Sequence, residues 1–180
     1  MILRLAILCI LLSSTTVSAE PLSTKLEDIH QKIVNDYDNV NHISSEDFSN
    51  INTAQIVIFD VREKKEHQVS HLDGAIQVDP DLDPKVFINK YGEAIRNKIV
   101  IYYCSVGRRS SKFASSVNSI SPQKQIDQSY NLQGGIFHWR NDEMPLVDID
   151  SETTLVHPYN FYWGRLIEDK SAISYKIKSH

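Results

Sequence analysis

Apolar residues recur at steps of three and four at Leu26, Ile29, Ile33 and Tyr37, which predicts an amphipathic helix over residues 23–37. It reads as packing on the domain, with a partner contact as the alternative. From His42 the pattern changes to alternating strands and helices. Ser45, followed by acids and Phe48, suggests a short capped helix. Residues 55–61 form a near-continuous β-branched run, the pattern of a strand buried on both faces. A short helix over 63–69, a turn at Asp73-Gly74 and a small strand over 75–78 follow. Pro84 stands where a helix begins, with Phe87, Ile88, Tyr91 and Ile95 on its apolar face. A second buried strand, 98–103, runs straight into Cys104. A helix over 110–120 turns Phe113, Ala114 and Val117 inward, and a last strand over 130–132 leads through Gly134-Gly135 to a short helix ending at Trp139. Strands alternating with helices imply an α/β fold around a mostly parallel central sheet flanked by helices. The aromatic-rich tail over 148–180 carries no clear pattern.

The start of the chain reads differently. Arg4 supplies a positive charge, residues 5–12 are uninterrupted apolar, and Val17-Ser18-Ala19 offers small residues at a cleavage spacing. That is the layout of a secretory signal over 1–19, cut between Ala19 and Glu20. The apolar run is short for a membrane anchor, so no stable insertion is expected after cleavage. The expected location is the periplasm of a Gram-negative cell, or otherwise the outside. Removing residues 1–19 leaves 18 Lys/Arg against 23 Asp/Glu, a formal charge of −5. Such a chain is no natural binder of nucleic acid or anionic membrane. Cleavage also removes Cys9 and leaves Cys104 as the one mature cysteine. In an exported protein a lone cysteine raises the question of a reactive thiol, against the plainer reading of a buried inert one.

The residues around Cys104 favour reactivity. The stretch Cys104-Ser105-Val106-Gly107-Arg108-Arg109-Ser110 lies between a buried strand and a helix start, where α/β folds bind ligands. Ser105 and Gly107 permit a tight loop with converging N–H groups, the helix start adds partial positive charge, and Arg108 and Arg109 add full charges. An inert cysteine needs none of this. Taken singly, Gly107 also reads as an ordinary turn glycine and Arg108 as a solvated surface charge.

Here the chain resembles the rhodanese-homology domain family. Cys-x-x-Gly-x-Arg-Ser resembles its active-site loop. Phe59-Asp60-Val61-Arg62, then Glu66, then Ser70-His71-Leu72-Asp73-Gly74-Ala75-Ile76 resembles a second signature, and Leu132-Gln133-Gly134-Gly135 with Trp139 a third. The resemblance runs over residues 42–147, leaving 20–41 as an N-terminal helical extension. It implies a rhodanese-like fold and sulfur transfer through a Cys104 persulfide, cradled by the amides of Ser105, Val106, Gly107, Arg108 and Arg109, with Arg109 closing the loop and holding anionic substrate. It implies no cofactor. The partners it implies are a small anionic sulfur donor such as thiosulfate or a persulfide, a thiol or cyanide acceptor, and in some settings a protein acceptor. Asp60, Arg62 and Ser110 read as supporting residues, His71 as an internal hydrogen-bonding residue, and Trp139 as core. Ser70 and Asp73 depart from the usual glycine and proline of the second signature. Ser105 stands where many thiosulfate-using members carry arginine, which weakens thiosulfate as donor, although Arg108 offers compensating charge.

Three other readings compete. A cysteine phosphatase or arsenate reductase of related fold has a Cys-x5-Arg loop, whereas Cys104 and Arg109 enclose four residues. A non-catalytic binding module has no use for the intact loop. A sulfur carrier to a specific protein lies between enzyme and module, with the N-terminal helix or the tail as docking surface. One cysteine and scattered histidines give no metal-ligand spacing.

Overall fold

Strand β4 (Ile99–Tyr103) is the middle of the molecule, and every residue from Val100 to Tyr103 is buried. In the computed structural model, which describes residues 22–120 and 128–178, β4 pairs in parallel with β2 (Ile56–Asp60) on one side and β5 (Ser129–Leu132) on the other. The expected leader over 1–19 and its cleavage point lie outside the described residues. β3 (Ile76–Gln77) extends the sheet beyond β2, and β1 (Asn41–Ile43) extends it beyond β5. The sheet is wholly parallel, in the order β1-β5-β4-β2-β3.

Side chains of a strand point alternately to its two faces, and β4 shows what this does. Val100 and Tyr102 enter one apolar layer with Phe59, Phe87, Phe113, Ala114 and Val117, under α4 (Pro84–Ile95) and α5 (Arg108–Ile120). Ile101 and Tyr103 enter the opposite layer with Leu132, Ile136, Phe137 and Trp139, where α6 (Gly135–Asn141) packs. Covering on both faces explains the apolar run of β4, whereas Ile56 to Ile58 of β2 are only partly buried.

Helix starts follow local chemistry. Asp83 accepts hydrogen bonds from the N–H groups of Lys85 and Val86 at 2.8 and 3.3 Å, and Pro84 occupies the first turn of α4. For α2 (Ser45–Ser49) the cap is Ser44, whose Oγ accepts from the Asp47 N–H at 3.0 Å; Ser45 is already helical. α1 (Leu22–Asp36) packs on the domain through Leu26 and Ile33, both fully buried. Their burial contributes about 1.5–3 kcal/mol each. No described helix is long and apolar enough to cross a membrane.

The tail is part of the fold. β6 (Leu146–Val147) pairs antiparallel with β7 (Glu152–Thr153), and Val147 bridges back to His71. Val156, Ile167 and Ala172 are buried in the same layer as Tyr103 and Phe137. The 3-10 turn Trp163–Leu166 lies against α1, so the segments before and after the sheet meet each other.

Candidate active site

β2 and β4 end level, with Asp60 beside Tyr103, and the next residue of β4's chain is Cys104. Cys104 is free and 1% exposed. Its loop is held from below by α6. The N–H of Ile136 donates to the Cys104 carbonyl at 2.9 Å, and that of Phe137 donates to the Ser105 carbonyl at 3.1 Å. So close an approach requires Gly135. A Cβ there would stand 2.3 Å from the Cys104 oxygen and 2.8 Å from Ser105 backbone atoms, and its φ is +58°. The Gly-Gly signature thus sets the floor of the loop.

On the other side of the loop, Gly107 has φ +91° and lies against Asn131 and Leu132 of β5. Asn131 was not among the expected site residues. Its Oδ1 accepts from the Ser110 hydroxyl at 2.5 Å, fastening the start of α5 to β5, and its Nδ2 reaches His42 Nδ1 at 3.3 Å. Burial, and His30 beside it, push His42 down to about 4, which keeps the ring neutral and able to accept. Among the described residues, no protein group accepts from the N–H groups of Val106 to Arg109. A run of such donors at a helix start is an anion-binding concavity.

Arg109 closes the loop through a residue of the second signature. Glu66, fully buried on α3 (Lys64–Val69), accepts from Arg109 Nη1 and Nη2 at 2.7 and 2.8 Å. It also accepts from the Ser105 hydroxyl at 3.1 Å and from the Glu63 N–H at 3.1 Å, the latter part of a capping box for α3. Ser105 Oγ in turn accepts from Arg109 Nη2 at 3.0 Å. Burial pushes the Glu66 carboxyl up, but Arg109 outweighs that and holds it below its ordinary value. The guanidinium is held above its own ordinary value against burial, first by its hydrogen bonds to Glu66. Arg108 points elsewhere: it is half-exposed and pairs with Asp36 of α1 at 3.2 Å.

Asp60 and Arg62 form a second ion pair, fully buried, at 2.7 and 2.6 Å. Arg62 also donates to the Ser70 carbonyl at 2.7 Å and lies over the Tyr103 ring. Burial acts to raise Asp60, yet Arg62 wins and holds it at about 2. Neither residue lines the cleft above Cys104. His67 Nδ1 lies 2.9 Å from Asp60, and His71 stacks on His67 with its Nδ1 3.0 Å from the His67 carbonyl. The Trp139 indole is buried and donates to the Pro145 carbonyl.

The cleft itself measures about 180 Å³. The loop from Cys104 to Arg109 supplies its floor, and two tail residues, Tyr159 and Trp163, supply a wall. Tyr159 lies over the Arg109 guanidinium, 4.6 Å from ring centre to carbon. No periodicity marks these tail residues, because the segment that carries them is turns and one short 3-10 turn rather than an α-helix or strand.

The family model for the rhodanese-like domain matches residues 47–142, more than half of the chain. The chain belongs to the rhodanese-like domain family. The comparison with curated proteins found no match. Among solved structures, the chain is similar to the 30 kDa polysulfide-sulfur transferase homodimer of Wolinella succinogenes. There the identity is 16%, the match covers 73% of this chain and 96% of that one, and the TM-score is 0.52. A thiosulfate sulfurtransferase of Pseudomonas aeruginosa matches at 18% identity over 70% of this chain and 23% of its own, with TM-score 0.51. A rhodanese-related protein of Thermoplasma volcanium matches at 19% identity over 59% of this chain and 97% of its own, with TM-score 0.47. At these identities the likeness is one of fold. The parallel five-stranded sheet with its helices is the rhodanese-like α/β fold. The family match stops before Tyr159 and Trp163, so the cleft of this rhodanese-like domain is walled from outside the matched region.

Proposed function

We propose that this rhodanese-like protein is a sulfurtransferase that carries sulfane sulfur on Cys104. The observation that carries this reading is the loop from Cys104 to Arg109, in which a buried thiol sits beside N–H groups that no protein acceptor uses. The Cys104 thiolate attacks the outer sulfur of a donor R–S–S⁻. A bond forms between Cys104 Sγ and that sulfur, the donor's S–S bond breaks, and R–S⁻ leaves with the bonding pair. The terminal persulfide charge rests on the N–H groups of Val106 to Arg109. A thiophilic acceptor such as cyanide or a thiol then takes the outer sulfur and returns the Cys104 thiolate. The sulfur-transfer names of the Wolinella and Pseudomonas proteins of like fold support the reading. The short loop supports it over a phosphatase, since only four residues separate Cys104 from Arg109.

The direct test is intact mass spectrometry of reduced protein incubated with thiosulfate or a low-molecular-weight persulfide, beside Cys104→Ser. Gain of one sulfur on the wild type alone, released as thiocyanate on adding cyanide, is the expected result. No gain from either donor removes sulfur transfer as the function. We also propose export, on the leader-like pattern of residues 1–19. A mature N-terminus at Glu20, read by mass from cells, is expected, and retention of Met1 would overturn it. A protein acceptor is favoured by one observation: Phe161 and Tyr162, between the two wall residues, are 75% and 69% exposed.

A further inference from the structure

The polar chemistry of the cleft is turned away from its mouth. The fork of Arg109 is engaged by Glu66 and Ser105, and Tyr159 covers its face. Arg108 is drawn outward to Asp36. Ser105, Arg108 and Arg109 line the cleft together with Val106, Tyr159 and Trp163, and the surface they leave above the Cys104 thiol is predominantly apolar. The N–H groups of the loop suit one negative charge at the sulfur being transferred. A second charge at the other end of a donor meets aromatic rings there, and the two arginines that line the cleft, Arg108 and Arg109, are already paired with Asp36 and Glu66. Placing an unpaired charge against such a surface is costly, whereas an apolar group gains from it.

Tyr159 is also held in place at a cost. It has φ +62°, a backbone conformation rare for a bulky residue. The turn around it is closed by the Asn160 N–H donating to the Pro158 carbonyl at 2.7 Å. The Tyr159 N–H donates to Nδ1 of His157, whose side chain is buried. Such three-residue turns are strained, and strain persists only where the surroundings over-determine it. Here the surroundings are the core residues Val156 and Ile167 on either side of the turn.

The geometry points to Tyr159 and Trp163 as the specificity-determining wall of the sulfur-donor site, selecting a singly charged donor with a small apolar organic group over inorganic thiosulfate. The inference rests on the sulfur-transfer reading above. At about 180 Å³ the cleft is smaller than a pocket for a drug-sized ligand, which suits a donor with a small organic group. With an organic thiosulfonate the step balances as follows. The Cys104 thiolate takes the outer sulfur, the donor's S–S bond breaks, and the sulfinate R–SO₂⁻ leaves with the electron pair.

The test compares kcat/KM for thiosulfate, methanethiosulfonate and benzenethiosulfonate, all with cyanide as acceptor, in wild type, Tyr159→Leu, Trp163→Leu and Tyr159→Phe. The readout is the ratio of benzenethiosulfonate to thiosulfate, compared between proteins so that intrinsic donor reactivity cancels. The ratio is expected to fall about tenfold in Trp163→Leu, a loss of the size expected for removing an aromatic contact, with KM carrying most of the change. Tyr159→Phe keeps the ring and is expected to keep the ratio; Tyr159→Leu is expected to lower it. Far-ultraviolet circular dichroism and melting of each variant show whether it is folded. An unchanged ratio in folded Tyr159→Leu and Trp163→Leu overturns the inference while leaving sulfur transfer intact. Absence of sulfur on wild-type Cys104 with all three donors overturns the underlying function instead.

Discussion

Replacing Gly135 by alanine should damage the loop far more than the small size of the change suggests, and Gly74 provides the control. Both glycines have positive φ, +58° and +72°. At Gly74 an added Cβ meets nothing within 4 Å, so Gly74→Ala reports the backbone penalty alone. That penalty is about 1–2 kcal/mol, partly offset by the reduced freedom of the unfolded chain, leaving about 1 kcal/mol. At Gly135 the same Cβ falls 2.3 Å from the Cys104 carbonyl oxygen. The backbone must separate there, which strains or breaks the hydrogen bonds from Ile136 and Phe137 to the loop carbonyls. Two such bonds at about 1 kcal/mol each, overpacking of about 1–3 kcal/mol and the same backbone term give about 4–6 kcal/mol. At about 2–4 °C per kcal/mol for a chain of this size, Tm should fall by about 10–20 °C for Gly135→Ala and by about 2–4 °C for Gly74→Ala. Thermal unfolding followed by circular dichroism reads both, and sulfur loading of Cys104 below Tm reads the loop. Equal destabilisation by the two substitutions would show that α6 does not press on the loop as described.

Glu66→Ala releases Arg109 and Ser105 together and should cost about 2–3 kcal/mol, since Arg109 is partly exposed; urea unfolding measures this, and a change under about 0.5 kcal/mol refutes the clasp. Asp60→Leu should cost about 3–5 kcal/mol because Arg62 is left as a buried unpaired charge, whereas Asp60→Leu with Arg62→Met should recover most of the loss; a double variant no more stable than the single one counts against the account. For pH, His42 binds its proton less readily folded than unfolded. Between its ordinary 6.5 and about 4 the unfolded chain holds more protons, so stability falls as pH drops through that window, by at most about 3 kcal/mol. Urea unfolding at pH 7 and pH 4.5 should show a smaller loss in His42→Gln than in wild type, and equal losses would rule His42 out as a contributor.

The parts of this protein that a linear reading reaches are those in which one chemical pattern recurs along a continuous stretch. β2, β4 and α5 announce themselves because covering on both faces or on one stripe imposes a run or a period. β1 escapes because three residues are too few to show a period, and it exists because Asn41, His42 and Ile43 find β5 nearly ninety residues away. The loop around Cys104 is visible for a different reason: its thiol, glycine and arginines are consecutive. Its clasp is not, since Glu66 and Arg109 are brought together only when β2 and β4 align. Ser105, noted for what it is not, is a member of that clasp. Arg108, read as a source of compensating charge, is turned to Asp36, a contact that depends on how α1 docks. Tyr159 and Trp163 lay in a stretch with no repeating pattern, because turns are specified residue by residue.

The wall of the cleft has a consequence for how the molecule is made. All five strands of the sheet are present in the nascent polypeptide once Leu132 has emerged, and α6, the floor under the Cys104 loop, follows by Asn141. Residues 156–172, which supply Tyr159, Trp163 and their buried anchors, are synthesised afterwards. Until they dock, the thiol faces solvent on the side later walled off. The cleft is therefore completed last, and an interrupted chain ending near Val147 presents an open thiol on an unfinished core.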